Sequence, residues 1–583
     1  MTLQTDYSVK GAKWILNSFS EHNVALLVQR FGLPEAVARI IDSRGINISE
    51  VEFFLSPAIK HMLPDPFHLL DMEKAVDCLV GAIKNNQTIA IFGDYDVDGA
   101  TSTALLRRYF DVIGVASIIY VPDRIEEGYG PTQGAFAKLH SEGADLCITV
   151  DCGVNAHEAL ASASEMGLPV IVIDHHIGSE ILPKAAAAIN PNRLDESSKY
   201  TNLAAVGVTF LFVVALNKRL REIGFFIDKT EPNLIDYLDL VALGTVCDVV
   251  SLTGLNRAFV SVGLKVMARN KNPGIKALAD LAGLRTKLDT YHLGFILGPR
   301  INAGGRVGES FLGAKLLSTN DPDEARRIAE KLNEYNSQRQ ALEQKVFEDA
   351  LLQVPPDANN ILVVKGQGWH PGVIGIVAGR LKERFGLPAV VISITEGIGR
   401  ASGRSVAGVD LGSAILAAKA EGMLISGGGH AMAAGFSLLE EQISSLHEFL
   451  SERFGRILKI RDVVLGLDGV LGLSSVNLKT WYALQAVAPF GAGNPEPKFI
   501  IRNAHLLEVR IVAKEHILCD IACGLSDTRE TNCKAIAFRA VGTALGEVLL
   551  ASLNRALTLA ARLILNRWRG EEKVELIIED AMF

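Results

Sequence analysis

Cysteine is scarce in this chain, which has seven cysteines among 583 residues, an odd number that cannot pair completely. They are spread from Cys78 to Cys533 and do not show the spacing of a disulfide framework. Cys519, Cys523 and Cys533 lie nearest to one another, but a fourth ligand at a usual zinc spacing is missing, so we interpret them as small apolar residues of strands. The scarcity excludes a disulfide-stabilised scaffold and predicts a reducing compartment.

Long apolar runs are also missing. The longest uncharged apolar stretch, residues 203–216, is too short to span a bilayer and is typical of a buried helix. Residues 1–13 contain no apolar core of the kind that a secretory signal needs. We therefore expect a cytoplasmic protein that makes no contact with a membrane.

Positive charge is not in excess, because 58 Lys and Arg face 66 Asp and Glu, for a formal net charge of −8. Phosphate contacts dominate the affinity of proteins for nucleic acids, so this balance would ordinarily argue against such a ligand. Bound cations reverse the local sign of an acidic site, however, and the charge of the whole chain therefore excludes nothing. With 49% hydrophobic and 21% charged residues, the chain is predicted to be globular, with about three to four domains by its length.

Acidic residues collect where apolar runs end. Asp94, Asp96 and Asp98 follow the run 88–92 and precede a helical-looking segment, residues 100–110. If the backbone is extended there, alternation sends the three carboxylates to one side. Like charges at that distance repel and raise one another's pKa unless a cation, most simply a divalent metal ion, lies among them. A solvated turn is the alternative for this pattern on its own.

Two further apolar runs end in the same way. Residues 146–150 are followed by Asp151, and residues 170–173 are followed by an Asp-His-His triplet, residues 174–176. Short apolar runs without alternation are typical of parallel strands covered on both faces. The carboxyl ends of such strands bind ligands in open α/β sheets. On its own, the histidine pair could instead belong to a helix cap with one imidazole in the core.

Asp248 closes another apolar run, residues 239–247, so we expect a fourth strand end with a ligand-type residue. The candidate ligands are Asp96, Asp98, Asp151, His175 and Asp248. This mixture of carboxylates and imidazole suits Mn²⁺ or Mg²⁺ better than the sulfur-rich sites that zinc favours. Two ions sharing a carboxylate would polarise a phosphoryl oxygen, activate a water and stabilise the leaving oxygen, so phosphoester hydrolysis is the predicted reaction class.

Several segments carry a resemblance to a known family. Four of them resemble the four motifs of the DHH phosphoesterase superfamily, namely residues 93–102 (GDYDVDGATS), 151–153 (DCG), 174–176 (DHH) and 244–248 (GTVCD). Within that superfamily, the RecJ family of single-strand-specific DNA exonucleases is indicated by residues 124–130 (RIEEGYG), 298–306 (GPRINAGGR), 370–376 (HPGVIGI), 402–405 (SGRS) and 427–435 (GGGHAMAAG). The resemblance runs from about residue 51 to the C-terminus.

The resemblance implies a two-metal exonuclease of DNA repair and recombination that degrades single-stranded DNA from the 5′ end and releases mononucleotides, with Mn²⁺ or Mg²⁺. Carried onto this chain, the ligands of one ion are Asp98, Asp151, His175 and Asp248, and those of the other are Asp96 and the bridging Asp151. His176 would face the scissile phosphate and Asp94 would support the ligands, so catalytic roles fall to His176, Asp151 and Asp94.

Strand patterns that alternate with helical ones predict an α/β protein with a doubly wound parallel sheet. Asp321 and Pro322 are a typical N-cap and first position of a long helix that ends before Pro355 and either holds two domains apart or packs on one of them. Together with the resemblance, these patterns predict an N-terminal segment of unassigned role (1–50), the DHH metal-binding domain (51–320), the long connecting helix (321–354), a smaller α/β DHHA1 domain (355–458) and a C-terminal OB-fold β-barrel (459–583).

Candidate phosphate and DNA contacts lie in the family motifs. They are Arg124, Arg300, Arg306, Ser402, Arg404, Gly429 and His430. A guanidinium offers a planar fork for phosphate, although each arginine could instead form a structural ion pair. The glycines 427–429 let the backbone approach a ligand and are predicted to begin a helix whose amides bind an anion, with an ordinary core turn as the alternative. In the barrel, the residues that fit a stacking groove for a single strand are Lys514, Lys534, Arg539, Arg567 and Trp568.

The predicted partner is single-stranded DNA, with a single-strand-binding protein and a helicase as further candidates, and we expect a monomer. Two other functions share the fold. A DHH-family oligoribonuclease or cyclic-dinucleotide phosphodiesterase would use the same ligands but would not explain the C-terminal barrel. A non-catalytic replication scaffold of the Cdc45 kind would have lost ligands that this chain keeps.

Overall fold

The computed structural model describes residues 7–124, 126–458, 463–523, 532–568 and 570–583, except for the side chains of Leu458, Cys523 and Trp568. The chain divides into two compact units. The larger unit consists of Ile59–Val250 and Ala258–Arg461, and the barrel unit consists of Met1–Ala58, Ser251–Arg257 and Asp462–Phe583. The candidate groove residue Trp568 has its side chain outside the described part.

The strands are β1 (Ala12–Leu16), β2 (Ile89–Gly93), β3 (Ser117–Tyr120), β4 (Leu146–Val150), β5 (Val170–Ile173), β6 (Ala187–Ile189), β7 (Leu362–Gln367), β8 (Ala389–Thr395), β9 (Ile398–Arg404), β10 (Ser426–His430), β11 (Ala433–Leu439), β12 (Val463–Leu467), β13 (Gly469–Val470), β14 (Phe499–Val512), β15 (His516–Cys523), β16 (Cys533–Ala537), β17 (Ala556–Trp568) and β18 (Glu571–Met582).

The α-helices are α1 (Glu21–Phe31), α2 (Glu35–Ser43), α3 (Val51–Leu55), α4 (Ile59–Met62), α5 (Met72–Lys84), α6 (Val97–Ile113), α7 (Gln133–Ser141), α8 (His157–Glu165), α9 (Ala205–Glu222), α10 (Leu238–Cys247), α11 (Gly254–Met267), α12 (Pro273–Leu281), α13 (Gly298–Val307), α14 (Leu312–Ser318), α15 (Pro322–Leu351), α16 (Pro371–Phe385), α17 (Leu411–Ala420), α18 (Ile443–Leu458), α19 (Leu478–Leu484) and α20 (Ala544–Ala551). A π-helix, His292–Leu297, precedes α13.

A five-stranded parallel sheet in the order β3-β2-β4-β5-β6 forms the first half of the larger unit. Its central strands are buried along their whole length, as their uninterrupted apolar runs require. Helices α7 and α8 cover one face, and α6 and α9 pack against the strands as well. The predicted α/β class and doubly wound parallel sheet are confirmed.

Two elements beside this sheet differ from the sequence prediction. Asp94, Asp96 and Asp98 do not all lie on extended chain, because Asp96 is extended but α6 begins at Val97 and already contains Asp98. Asp248 ends the helix α10 and not a strand. α10 is buried on all sides, and an apolar run of this kind cannot be assigned to helix or strand from periodicity alone.

The second half of the larger unit is a sheet in the order β10-β11-β9-β8-β7, antiparallel except for the pair β7–β8. Helix α15 begins where predicted, with the Asp321 side chain accepting from the amide of Asp323, and its 30 residues extend about 45 Å. Its first part packs on α12, α13 and α14, and its last part shares a core with α16, so it contacts both halves.

The prediction that the glycines 427–429 begin a helix is wrong, because they lie in the strand β10. Glycine lacks the side chain that usually signals a strand, so the sequence pattern resembled a helix-capping loop.

The barrel unit contains the strands β13 to β18, which pair in the order β13-β14-β15-β16-β18-β17 and close through β14 and β17. The predicted strand β12 does not join this barrel but pairs in parallel with β1. Helices α1 and α2 bury Leu27 and Ile40 in the same core as Phe499 and Leu559. The N-terminal segment therefore contributes to the hydrophobic core of the barrel unit.

The described cysteines, which are all except Cys523, carry free thiols. Over the described ranges, no helix combines the length and the apolar character that crossing a bilayer would require.

Candidate active site

Three acidic residues lie side by side at the carboxyl edge of the parallel sheet. Asp94 follows β2, Asp151 follows β4 and Asp174 follows β5. The strands are in register there, since Gly93 pairs with Val150 and Val150 pairs with Ile173. The sheet therefore brings together side chains that are up to 80 residues apart in sequence, counting from 94 to 174.

Asp96 and Asp98 are brought to the same place by the start of α6. Asp96 is the N-cap, and its Oδ1 accepts from the amides of Asp98 (2.8 Å) and Gly99 (3.1 Å). A Cβ at Gly99 would lie 2.4 Å from the carbonyl oxygen of Asp94, so only glycine lets the helix fold back this closely.

Asp98 is almost completely buried, at 1% exposure. Its two oxygens accept from the first amides of α9, those of Ala205 (2.6 Å) and Val206 (2.9 Å), which stabilise a carboxylate at a helix N-terminus. Burial, and then the charge of Asp96, nevertheless raise the pKa of Asp98 to about 7. The site holds this carboxylate firmly but without a cationic partner among the described residues.

Asp248 reaches the site because α10 packs closely on α6. A Cβ at Gly244 would lie 2.3 Å from the Thr101 Oγ1 and 3.0 Å from the Asp98 Oδ1, so the glycine permits this approach. Burial, followed by the charges of Asp98 and Asp96, raises the pKa of Asp248 to about 9.

His175 is held in the state that a metal ligand needs. The carbonyl of Leu203, 3.1 Å from Nδ1, can only accept a hydrogen bond, so Nδ1 carries the proton and Nε2 carries a lone pair. Nε2 lies 3.3 Å from the Asp151 Oδ1 and 3.9 Å from the Asp98 Oδ2. Burial, and then neighbouring His176, lower the pKa of His175 to about 4, which keeps the ring neutral at pH 7.

The ligand-type atoms form three groups whose members all lie within 4.8 Å of one another. The groups are Asp98 with His175 and Asp248, Asp94 with Asp96 and Asp151, and Asp151 with His175 and His176. Buried atoms at the centre, namely the Asp94 Oδ1, the His175 Nε2 and the Asp248 Oδ2, have no hydrogen-bond partner within the described ranges. Buried oxygens and a lone pair without partners fit cations, and Asp151, which belongs to two of the groups, fits a ligand shared by two divalent ions.

Asp174 positions its neighbours. Its Oδ1 accepts from the backbone amides of His175 and His176 and, at 2.7 Å, from the His176 ring, while its Oδ2 accepts from the amide of Val154. Burial would raise the pKa of Asp174, but the hydrogen bonds with His176 and the amides outweigh burial and lower it. Burial would lower the pKa of His176, but the bond with Asp174 raises it.

Tyr129 is a site residue that the sequence analysis missed, although its motif was noted. Its hydroxyl donates to the carbonyl of Asp151 at 3.0 Å and lies 3.2 Å from the His176 Nδ1. The two rings meet edge to face, 5.7 Å between centroids. Tyr129 therefore restrains the His176 ring in addition to Asp174.

We expect Tyr129→Phe to lower kcat about 10-fold and to change KM little, because the His176 ring loses one of its two restraints while the phosphate contacts stay intact. Steady-state kinetics on a labelled single strand measure both constants. Tyr200→Phe is the matched control, because the Tyr200 ring packs on His68 and Tyr200 belongs to none of the ligand groups. An unchanged kcat in Tyr129→Phe would show that the hydroxyl does not position His176.

Three of the candidate phosphate-binding arginines lie close together. Burial and the charges of Arg124, Arg339 and Arg404 lower the pKa of Arg306 to about 10, and burial and Arg124 lower the pKa of Arg404. None of Arg124, Arg306 and Arg404 is within 4 Å of a carboxylate of the described residues, so the structural ion pairs considered from sequence are not formed there. Guanidinium groups that repel one another without a counter-ion fit an anionic ligand.

Arg300 differs from these three, because its Nε donates to the Asn333 Oδ1 and its Nη1 to the carbonyl of Ile296. Arg339 on α15 was not predicted, and it approaches Arg306 from the long helix while pairing with Glu343 at 2.7 Å. In the sequence, Arg339 is distinguished only by its position on the face of α15 that carries the buried residues.

Ser402, Arg404 and His430 share one face of the second sheet. His430 pairs with Ala433 and Ala433 pairs with Arg404, so these residues form one row across three strands. The next row is Gly428, Gly435 and Ser402, and a Cβ at Gly428 would meet nothing within 4 Å. This face is therefore open to a ligand at β10, where Gly429 follows Gly428 in the same strand. At β9 it lies against α16, since a Cβ at Gly375 would lie 2.9 Å from the Ser402 Oγ.

Comparisons with known proteins identify the family of the chain. Three family models match the chain: the DHH family, N-terminal domain (residues 88–245), the DHHA1 domain (358–456) and the RecJ OB domain (467–580). The single-stranded-DNA-specific exonuclease RecJ of Dickeya dadantii is 37% identical over 565 residues, which cover 94% of this chain and 96% of that protein. The chain belongs to the RecJ family.

Solved RecJ structures share the fold. The structure of RecJ from Thermus thermophilus in complex with Mn²⁺ matches with a TM-score of 0.81 at 28% identity, over 98% of this chain and 79% of that one. The structure of RecJ from the same organism with Mg²⁺ matches with a TM-score of 0.76 at 26% identity, over 98% and 78% of the two chains.

Proposed function

We propose that this RecJ-family chain is a single-stranded-DNA-specific exonuclease that hydrolyses phosphodiester bonds with two divalent cations, Mn²⁺ or Mg²⁺. The observation that carries the proposal is the convergence of the ligand groups on Asp151, which belongs to the group of Asp94 and Asp96 and lies 3.3 Å from the Nε2 of His175, a member of the group of Asp98 and Asp248. Similarity to the single-stranded-DNA-specific exonuclease RecJ of Dickeya dadantii supports it. Similarity to the Mn²⁺ and Mg²⁺ complexes of the Thermus thermophilus RecJ supports the choice of cations.

Asp98, Asp151, His175 and Asp248 would hold one ion, and Asp96 and Asp151 the other, with Asp94 beside the second. Bound there, the ions would polarise the scissile phosphate, lower the pKa of the attacking water and neutralise the charge that develops on the leaving oxygen. The protein's contribution is to keep the carboxylates converged, through the amides of α9 on Asp98 and the Leu203 carbonyl on His175.

His176 and the arginines would act on the substrate directly. Asp174 and Tyr129 hold the His176 ring, and the raised pKa of His176 favours a protonated ring that can donate to a phosphate oxygen. Arg124, Arg306 and Arg404, with Ser402, would bind the phosphate of the strand end. A 5′ phosphate held there would make digestion proceed from 5′ to 3′ and release 5′-mononucleotides.

Digestion of oligonucleotides labelled at either end tests the proposal. We expect release of labelled mononucleotide at once from a 5′-labelled single strand with Mn²⁺ or Mg²⁺, and only late from a 3′-labelled strand. Chelation with EDTA should stop the reaction, and a blunt duplex should resist it. Hydrolysis restricted to dinucleotides or cyclic dinucleotides would favour the small-substrate alternative, and no hydrolysis would favour a scaffold.

We expect Mn²⁺ to raise the Tm of the protein, and to raise it more at pH 8 than at pH 6. The carboxyl pKa values are raised in the folded metal-free protein, to about 7 for Asp98 and about 9 for Asp248. The folded state therefore binds more protons than the unfolded state between about pH 4 and pH 9, and its stability falls as pH rises through this window. A cation replaces those protons, so its effect grows with pH. Differential scanning fluorimetry with Mn²⁺ against Ca²⁺ measures the shift, and an equal shift at both pH values would contradict the assignment.

Several finer points belong to the same proposal. The free thiols of the described cysteines support a reducing, cytoplasmic location. We propose the domain limits set out from the sequence, except that the N-terminal segment belongs to the barrel unit. We also propose a monomeric enzyme and cooperation with a single-strand-binding protein and a helicase. The exposed Lys514, Lys534 and Arg539 of the barrel unit support contact with a single strand there.

A further inference from the structure

Two large aromatic side chains are exposed together on the π-helix and its flank. Tyr291 is 58% exposed and Phe295 is 73% exposed. Their rings stack, with 5.3 Å between centroids and 27° between planes. Leu293 and Leu297 of the same helix are buried, so the pair occupies the outward side of an otherwise anchored element.

The π-helix that carries the aromatic pair packs beside the metal-ligand group. The Cys247 thiol donates to the carbonyl of Leu293 (3.4 Å), and a Cβ at Gly294 would meet Val246 at 3.5 Å. Since Cys247 directly precedes Asp248, the π-helix packs on the very end of α10 that supplies a candidate ligand. Insertions of π-helix are frequent at functional sites.

A second feature next to Asp248 points outward. Val249 has a φ of 61°, in the left-handed region that β-branched residues rarely adopt, and it is 71% exposed. Two elements that pack together next to Asp248, the end of α10 and the π-helix, therefore both carry exposed apolar side chains.

The loop before the aromatic pair carries two basic residues and one acidic residue, Asp289, whose Oδ1 lies 2.6 Å from the His292 Nδ1. Arg285 and Lys287, six and four residues before Tyr291, are exposed, and neither has a carboxylate of the described chain within 4 Å. Aromatic faces with unpaired cations nearby are the composition that binds single-stranded nucleic acid, because every base has a π-face and every linkage has a phosphate.

We propose that Tyr291 and Phe295 form a platform on which a nucleobase of the substrate strand stacks as the strand leaves the metal centre, while Arg285 and Lys287 contact the backbone phosphates. This platform rests on the proposed exonuclease function and adds a physical basis for strand selection. A base in a duplex is already paired and stacked, so only an unpaired strand can place a base on the rings.

Phe295→Ala tests the platform on a 5′-phosphorylated oligonucleotide and on copies that carry one abasic site at successive positions. We expect KM for the intact strand to rise about 5- to 100-fold, the range seen when one base loses its aromatic partner, with kcat changed less. At one abasic position, wild type and variant should have the same KM. Phe295→Trp should restore binding, and Phe295→Leu, which keeps apolar bulk without a π-face, should not.

Phe385→Ala is the matched control, because Phe385 is also an exposed phenylalanine. It lies at the C-terminal end of α16, and it is the opposite, N-terminal end of this helix that contacts Arg306. If the Phe295→Ala protein has a lowered Tm, Tyr291→Ala is the second variant, and it should show the same rise in KM. An unchanged KM in both variants, or an equal loss on intact and abasic strands, overturns the platform. A wild-type protein that releases no nucleotide overturns the exonuclease proposal instead, so the two failures are distinct.

Discussion

Asp151→Asn is expected to lower kcat at least about 10³-fold, equivalent to about 4 kcal/mol of transition-state stabilisation. Asp151 belongs to two of the three ligand groups and lies 3.3 Å from the His175 Nε2. Its loss would weaken both cation sites at once. Mononucleotide release from a labelled single strand measures kcat, and the Mn²⁺-induced rise in Tm should disappear in the same variant.

Asparagine is the better substitution for this test, because Asp151 has a φ of 62° and asparagine tolerates left-handed backbone that alanine does not. The fold should also survive, since burial and the charges of Asp96 and Asp98 raise the pKa of Asp151 well above its usual range. Removing one charge from this group relieves repulsion, so we expect the Tm of the metal-free variant to equal or exceed that of wild type.

Asp239→Asn is the matched control. Asp239 is also a buried aspartate of the larger unit, and burial raises its pKa to about 6, but it belongs to none of the ligand groups. We expect it to keep full activity and its Mn²⁺ response. Full activity in Asp151→Asn, or equal losses in both variants, would contradict the two-cation assignment.

Arg404→Ala is expected to raise KM about 10- to 100-fold and to lower kcat less than 10-fold, because a guanidinium that binds phosphate in the ground state contributes mainly to substrate affinity. The Arg404 Nη1 donates to the Ser402 Oγ and the Gly403 carbonyl, and a Cβ at Gly375 would lie 3.1 Å from the Arg404 Nη2, so the side chain is held between β9 and α16. Binding of a 5′-phosphorylated strand should weaken more than binding of a strand with a 5′ hydroxyl.

Arg400→Ala provides the control on the same strand. Arg400 lies four residues before Arg404 in β9 and so faces the same side, about 13 Å away. Its removal takes away an equal charge but not the proposed contact, and KM should change less than 2-fold. Equal rises in both variants would mean that general positive charge, and not a phosphate site at Arg404, attracts the strand.

The parallel sheet and the ligand types could be read from the sequence because each depends on local features. The runs before Asp94, Asp151 and Asp174 are short, apolar and without alternation, and the structure places β2, β4 and β5 within two residues of the predicted positions. The start of helix α15 could also be predicted, because an N-cap aspartate followed by proline marks the beginning of a helix.

The errors came from segments whose sequence shows no period. α10 is apolar on every side, so the sequence resembled a strand, and the glycines of β10 carry no side chains that would reveal alternation. Asp98 was assigned to extended chain, yet its position in the first turn of α6 is what lets it accept from the amides of α9.

By itself, the sequence determined which residues could bind cations and phosphate, because carboxylates, imidazoles and arginines in ordered motifs carry their chemistry with them. Only the tertiary structure decided how they combine. The crossing of α6 and α10 at Gly244 joins Asp98 to Asp248, and the Leu203 carbonyl selects the His175 tautomer. Such contacts link residues far apart in the chain. They arise from close packing, so no local sequence pattern predicts them.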